Sequence, residues 1–305
     1  MRGEPYIKQR YWGRLHNYFL YETMKIKQLL SISGKKALLI SLSIVAVLSL
    51  FYWPTFRWLV QSWLSNDYYS HGFLVPLVSA FFIWTKRSQL RERRPSLLSL
   101  VFLAMAVVLY VLSDVLEMRV LGGLSLLTII VAIALAVMGK RATWAIAFPL
   151  SFLIFMIPFP FIQEVGYHLQ QISISATSWV LDFTPLDITM NAARIKAGGE
   201  TFTIGLPCAG VNTLIALLAL AAIYVYLLKG PVYKRTLLFV LAFPLAVLAN
   251  IVRVISIVLV AYYIDTDFAG GTYHDYIANP LFYFLAFLIL ALIGWLMGCR
   301  LVEER

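Results

Sequence analysis

Three residues in the C-terminal half of this 305-residue chain have the side chains that nucleophilic acyl transfer needs: Cys208, Arg253 and His274. A thiolate attacks a carbonyl, an imidazole serves as general base and then acid, and a guanidinium steadies the oxyanion. Cys208 sits in Gly205-Leu206-Pro207-Cys208-Ala209-Gly210-Val211-Asn212-Thr213, between a polar segment and a long apolar run. Proline suits the first turn of a helix, so this spacing predicts that Cys208 opens one, where the helix dipole and free amides favour the thiolate. Ala209 and Gly210 leave the backbone open beside the thiol, and Asn212 lies one turn further on the same face. A cysteine in an apolar helix is more often a small inert hydrophobe, so its surroundings must decide.

Arg253 is the sharper signal, being the only charge between Thr236 and Tyr263. A guanidinium in mid-membrane costs at least ~2.5–3.5 kcal/mol on insertion scales and normally faces the bundle interior with a partner. Asn250, Arg253 and Ser256 recur every three residues and mark one polar stripe. The alternative is an arginine that snorkels outward or ties helices together through a carboxylate. His274 follows in a loop, 264–278, where a histidine is usually only solvated. His71, beside Gly72, competes for the same proton-transfer role.

The elements that must position these residues are membrane spans. The composition is 61% hydrophobic and 13% charged, with a mean hydropathy of +0.82, against about 25% charged in soluble domains. The expected fold is an all-α polytopic membrane protein with eight spans, near 37–58, 71–85, 96–113, 120–138, 142–160, 208–228, 236–263 and 279–298. Residues 1–36 form a basic, aromatic tail, either an interfacial helix on an anionic leaflet or a disordered segment. They are too long and polar for an ordinary signal-peptide n-region. Residues 37–298 make the membrane domain and 299–305 a short charged tail. The extramembrane insertion 161–206 predicts an amphipathic surface helix, with Leu169, Ile172, Ala176, Trp179 and Val180 on its apolar face. A β-hairpin follows, Arg194–Ala197 and Thr201–Ile204 around Gly198-Gly199-Glu200.

Charge sets the orientation. With a cytoplasmic N-terminus and eight spans, the cytoplasmic segments hold 20 of the 25 basic residues, leaving Arg57, Arg119, Arg194, Lys196 and Arg253. Both termini are then cytoplasmic, and Cys208, Arg253 and His274 share the outer side of a cytoplasmic membrane. The net charge of +10 is distributed between apolar runs, which marks topology rather than nucleic-acid binding. Cys208 and Cys299 lie near opposite ends of separate runs, so no disulfide joins them on this reading.

No His-Glu-x-x-His zinc motif, Gly-x-Ser-x-Gly elbow or Gly-rich phosphate loop occurs, and neither a metal nor a cofactor is expected. Two other function classes remain open. Arg253 could bind an anion in a transporter or lipid-linked carrier. Asp265-Thr266-Asp267 could hold a metal and a sugar phosphate in a glycosyltransferase, although an Asp- and Gly-rich turn explains it as well.

Taken together, Pro207-Cys208-Ala209-Gly210, Asn250-Ile251-Val252-Arg253 and His274 resemble the exosortase/archaeosortase family of multi-pass membrane proteins. Asp67-Tyr68-Tyr69-Ser70-His71-Gly72-Phe73-Leu74-Val75-Pro76, with its basic stop, and the break Pro158-Phe159-Pro160 are similar to that family's N-terminal half. The resemblance covers roughly residues 37–298. It implies a sortase-like cysteine protease or transpeptidase whose catalytic residues are Cys208, Arg253 and His274. Asn250, Asn212 and His71 are then candidate supporting residues. The implied partners are membrane lipids and exported proteins with a C-terminal recognition motif, one transmembrane helix and a basic cluster. Ala209 stands where many members have Ser or Thr, which leaves the thiol in place but the subfamily open.

Overall fold

The computed structural model describes residues 43, 46–90, 95–191, 194–197, 200–203 and 210–301. The tail 1–36, residues 37–42, 44 and 45 of the expected first span, residues 204–209 with Cys208, and residues 302–305 lie outside the described residues. The chain divides into two units, Met1–Pro54 and Thr55–Arg305. In the first, residues 46–51 are helical.

Helix α1 (Trp53–Ser65) is followed by a 3₁₀ helix, Asp67–Phe73, and by α2 (Leu74–Thr85). The Asn66 side chain caps the 3₁₀ helix by accepting from the Tyr68 amide at 3.0 Å. Two long apolar helices, α3 (Leu98–Val115) and α4 (Arg119–Val137), then form an antiparallel hairpin. Their approach is close because the facing residues are small. A Cβ on Gly122 would stand 3.0 Å from Ser113 Oγ, and the Ser125 hydroxyl donates to the Ala106 carbonyl at 2.7 Å.

The chain continues through the short helices α5 (Lys140–Ala145) and α6 (Ala147–Phe152) and a 3₁₀ turn, Leu153–Met156. After Pro158-Phe159-Pro160 it enters α7 (Phe161–Leu181) at 74° to the preceding segment. Three short strands follow, β1 (Ile188–Asn191), β2 (Arg194–Ala197) and β3 (Glu200–Thr203), paired antiparallel in the order β1-β2-β3. Helices α8 (Val211–Leu227) and α9 (Val232–Tyr263) come next. A short helix α10 (Thr266–Phe268) and a π-helical stretch, Ala269–Ala278, lead into α11 (Asn279–Leu296). Helices α7, α8, α9 and α11 pack together around Leu214, Leu217, Ala221, Leu238, Ala242 and Leu290.

Several sequence expectations change. Among the described residues, four helical stretches are long and apolar enough to cross a membrane: α3, α4, α9 and Thr266–Leu296. The bent pair Ala147–Met156 and Phe161–Leu181 makes a fifth if it counts as one span. The expected second span is the 12-residue α2, about 18 Å long against a hydrocarbon core of ~30 Å. The expected fifth span is broken at Ile146 and again after Phe152. The sixth is shorter than expected, because α8 starts at Val211 and not at Cys208.

Helix α7 packs through positions to one side of its apolar stripe, sharing only Leu169 with it. Ile172 and Trp179 are exposed, while Gly166, Gln170, Ser173 and Thr177 are buried with Leu169 and Ile174. Small and polar residues inward with apolar residues outward is how helices associate in lipid.

The two ends of the C-terminal bundle differ chemically. At one end basic side chains cap helix carbonyls: Lys234 Nζ donates to Met297 O at 2.7 Å and Arg235 Nε to Val225 O at 3.0 Å. Lys86 donates to Ala145 O at 3.0 Å and lies over the Tyr226 ring. Cys299 is a free, buried thiol at this end, packed on Gly230. The start of α8 is at the other end, 17 residues away along the helix, about 25 Å. A disulfide between Cys299 and a residue next to that start is out of reach.

Candidate active site

Gly210, two residues after Cys208 in the sequence, is where the described chain resumes. This residue is left-handed, φ +79°, and caps α8. A Cβ there would lie 2.3 Å from the Asn250 side chain, so Asn250 of α9 fills the space that any other residue would need. Asn250 is itself held, its amide donating to the Ser173 hydroxyl of α7 at 2.8 Å. Three helices therefore meet at Gly210. Asn212 occupies the second position of α8.

One turn along α9, Arg253 is 1% exposed and the largest fully buried side chain described. Its guanidinium donates to the Asn279 side-chain oxygen at the start of α11. Tyr283, one turn further on α11, stands beside both Arg253 and Thr213 of α8. At 1% exposure the arginine does not snorkel outward, and the neutral Asn279 is one of the groups that hold it inward. Ser256, the third residue of the stripe, donates to the Arg253 carbonyl at 2.6 Å and so serves its own helix.

His274 is buried in the π-helical stretch, five residues before Asn279. The expected loop is a helix here, and π-helical turns recur at functional sites. Its Nδ1 lies 2.7 Å from Asp275 Oδ1. That pairing directs the proton onto Nδ1 and leaves Nε2 as the basic nitrogen. The Asp275 side chain is 61% exposed, so it orients the ring more than it charges it.

His71 lies elsewhere in the same half of the molecule. It bonds to the Phe155 backbone, burial pushes its imidazole below the usual range and that bond partly opposes the shift. Its ring stacks on Tyr69 at 6.1 Å, and the Tyr69 hydroxyl accepts from the Phe159 amide at 2.8 Å. Burial raises the Tyr69 phenol, with the Phe159 bond opposing. His71 and Tyr69 together fasten the 3₁₀ helix to the Pro158-Phe159-Pro160 break. Asp265 is also committed, its carboxylate accepting from the Phe268 amide at 2.6 Å as the cap of α10. The other half of the Asp-x-Asp pair, Asp267, falls in the first turn of that helix.

The structure therefore places Asn250 and Arg253 beside the start of α8, and His274 five residues before Asn279, the partner of Arg253. Cys208 lies outside the described residues. Sequence reasoning missed Ser173, Asp275, Asn279 and Tyr283. A polar residue opening an apolar run, Asn279 before Pro280, is the one signal that marked any of them.

The family comparison matches the model of the transmembrane exosortases over residues 63–293, an interval holding every one of these residues. The chain belongs to the transmembrane exosortase family. Neither a curated protein nor a solved structure matches it. Exosortases are membrane-embedded, cysteine-dependent sorting transpeptidases, and membership with the long apolar helices makes this a multi-pass membrane protein of that kind.

Proposed function

We propose that this exosortase cleaves the C-terminal sorting tails of exported, membrane-anchored proteins at the outer face of the cytoplasmic membrane. Cys208 is the nucleophile on this reading. Its thiolate adds to the scissile carbonyl, His274 Nε2 takes the thiol proton, and the collapsing intermediate returns that proton to the leaving amine. A thioester at Cys208 then passes to water or to an amine or hydroxyl acceptor. Arg253 supplies positive charge to the oxyanion in a dry setting, where it is worth most. The free amides at the start of α8 are a second source of donors.

The observation that carries the reading is that Asn250 packs on Gly210 one helical turn from the buried Arg253. A charge that is expensive to insert thus lies near Gly210, two residues along the chain from Cys208, which supports the reading. The basic caps at the opposite end of the bundle support an outward-facing site and cytoplasmic termini. The partners are substrates whose tail combines a short motif, a transmembrane helix and a basic cluster. Asn250, Asn212 and His71 support the site without reacting.

The test is co-expression with tail-bearing exported proteins, following tail removal by mass. Processing is expected to vanish in Cys208→Ala and Cys208→Ser and to survive chelation. Retained processing in either variant overturns the thiol mechanism, and loss on chelation points to the Asp265 loop. An impermeant maleimide is expected to label Cys208 from outside. Labelling of Cys299 instead reverses the topology.

A further inference from the structure

A cleft lies on the N-terminal half, with a volume of about 520 Å³. It opens where α3 ends and α4 begins, and its walls carry Trp58, Tyr68 and Phe159 together with one anion, Glu117, and one cation, Arg119. Tyr69 lines it and also packs in the cluster around Val211, so the cleft sits at the same end of the molecule as the start of α8.

The two charges are unusual for their setting. Glu117 and Arg119 face the same space, both are exposed, and neither makes an ion pair among the described residues. Arg119 opens α4, the end where a helix dipole disfavours a cation. It is also one of only five basic residues left outside the cytoplasmic segments. Glu117 is the only described residue other than glycine with a positive φ, +54°, a conformation that glutamate seldom adopts. Helix stability thus accounts for neither residue. Below the cleft, α3 exposes Val108, Val111, Leu112 and Val115, an apolar track leading up to its rim.

We propose that this cleft binds the headgroup of a zwitterionic phospholipid, a phosphate ester bearing an ammonium group. The phosphate rests against Arg119, and the ammonium lies between Glu117 and the rings of Trp58 and Tyr68, with the acyl chains along the exposed face of α3. The depth fits, because the ends of spanning helices and their aromatic residues mark the headgroup region. The charge pattern fits as well. An anionic headgroup would meet Arg119 but leave Glu117 opposed, whereas an ammonium satisfies the carboxylate and gains from aromatic faces. Occupation of the cleft would hold α1, the α3–α4 turn and the Pro158-Phe159-Pro160 break together.

The experiment uses the full chain in lipid-free detergent and follows its melting temperature. The probes are short-chain phosphatidylcholine, phosphatidylethanolamine and phosphatidylglycerol of equal acyl length, with free phosphocholine and inorganic phosphate as separate arms. Both zwitterionic lipids are expected to stabilise at concentrations at least ~10-fold below phosphatidylglycerol. Glu117→Asn keeps a residue tolerant of positive φ and is expected to erase that preference. Arg119→Gln is expected to remove the response to all three lipids, and Arg119→Lys to restore it, which separates lost binding from lost folding. Equal stabilisation by phosphatidylglycerol overturns the proposal, as does a preference that survives both variants. A response to inorganic phosphate alone at similar concentration shows a bare anion site and also overturns it. None of these outcomes depends on Cys208 chemistry.

Discussion

The α3–α4 hairpin and the bundle of α7, α8, α9 and α11 are built from similar apolar runs, yet their interiors are opposites. Helix α4 buries Gly122, Gly123, Ser125, Leu126 and Ile129 among its residues, and α3 buries only Ala106. The buried hydroxyl there, Ser125, is spent on a backbone carbonyl. Inside the bundle lie Ser173, Thr177, Thr213, Asn250, Arg253 and His274. Polar and ionisable groups cost free energy in lipid, so a chain that concentrates them in one bundle and nearly omits them from the other has separated scaffold from chemistry.

That contrast is broken most sharply by removing the charge from one interior and volume from the other. Arg253→Gln is expected to lower processing of a tail-bearing substrate by ~10²–10³-fold, the usual cost of losing an oxyanion donor. Arg253→Lys is expected not to rescue it, because an ammonium lacks the planar fork. Leu126→Ala in the hairpin is expected to cost ~2–5 kcal/mol of stability and leave processing per folded molecule nearly unchanged. A comparable activity loss in Leu126→Ala would remove the distinction between the two regions.

Gly210→Ala comes next, since it forces a Cβ into Asn250 and into a left-handed backbone. The backbone term alone is ~1–2 kcal/mol, and the displaced turn is expected to reduce processing by at least ~10-fold. Adding Asn250→Ala makes room and is expected to recover part of the stability but little of the rate. Thermal melts alongside turnover separate the two.

Asn279→Ala is expected to leave Arg253 without its Asn279 acceptor and lower processing by ~10-fold, while Asn279→Asp, which keeps an oxygen there, retains most of it. Asp275→Asn tests the ring orientation of His274. Because Asp275 is largely exposed, a loss of only a few-fold is expected, with a displaced pH–rate profile as the specific sign.

The smallest effect concerns His71. Its folded-state pKa lies below the unfolded value of about 6.5, so the unfolded chain binds more protons as pH falls through that value. Stability is therefore fully present above about pH 6.5 and declines below it. His71→Gln is expected to flatten that decline without changing processing above pH 7. A large activity loss in His71→Gln at pH 7.5 would transfer the proton-relay role from His274 to His71.

What was legible in the sequence follows the same division. Arg253 announced itself as a lone charge in an apolar run, and Asn250 by its three-residue spacing. Both are statements about cost, and cost is local. Their partners were not legible, because Ser173 and Asn279 arrive from helices 77 and 26 residues away. The apolar stripe of α7 marks a surface helix but not the face it packs on the bundle, which the small and polar positions Gly166, Ser173 and Thr177 mark instead. The segment holding His274 looked like a loop because Gly270 and Gly271 suggest a turn, whereas both lie within a π-helical stretch with open space around them.

The central claim is that the polar interior beside Gly210 exists to serve a thiol at Cys208. Intact mass measurement of the full chain, taken after co-expression with a tail-bearing exported protein and rapid acid quenching, tests it most directly. An added mass equal to the acyl part of the processed substrate is expected, released by hydroxylamine, mapped to the peptide holding Cys208 and missing from Cys208→Ala. Continued substrate processing with no such adduct, or an adduct that maps to Cys299, would contradict the account.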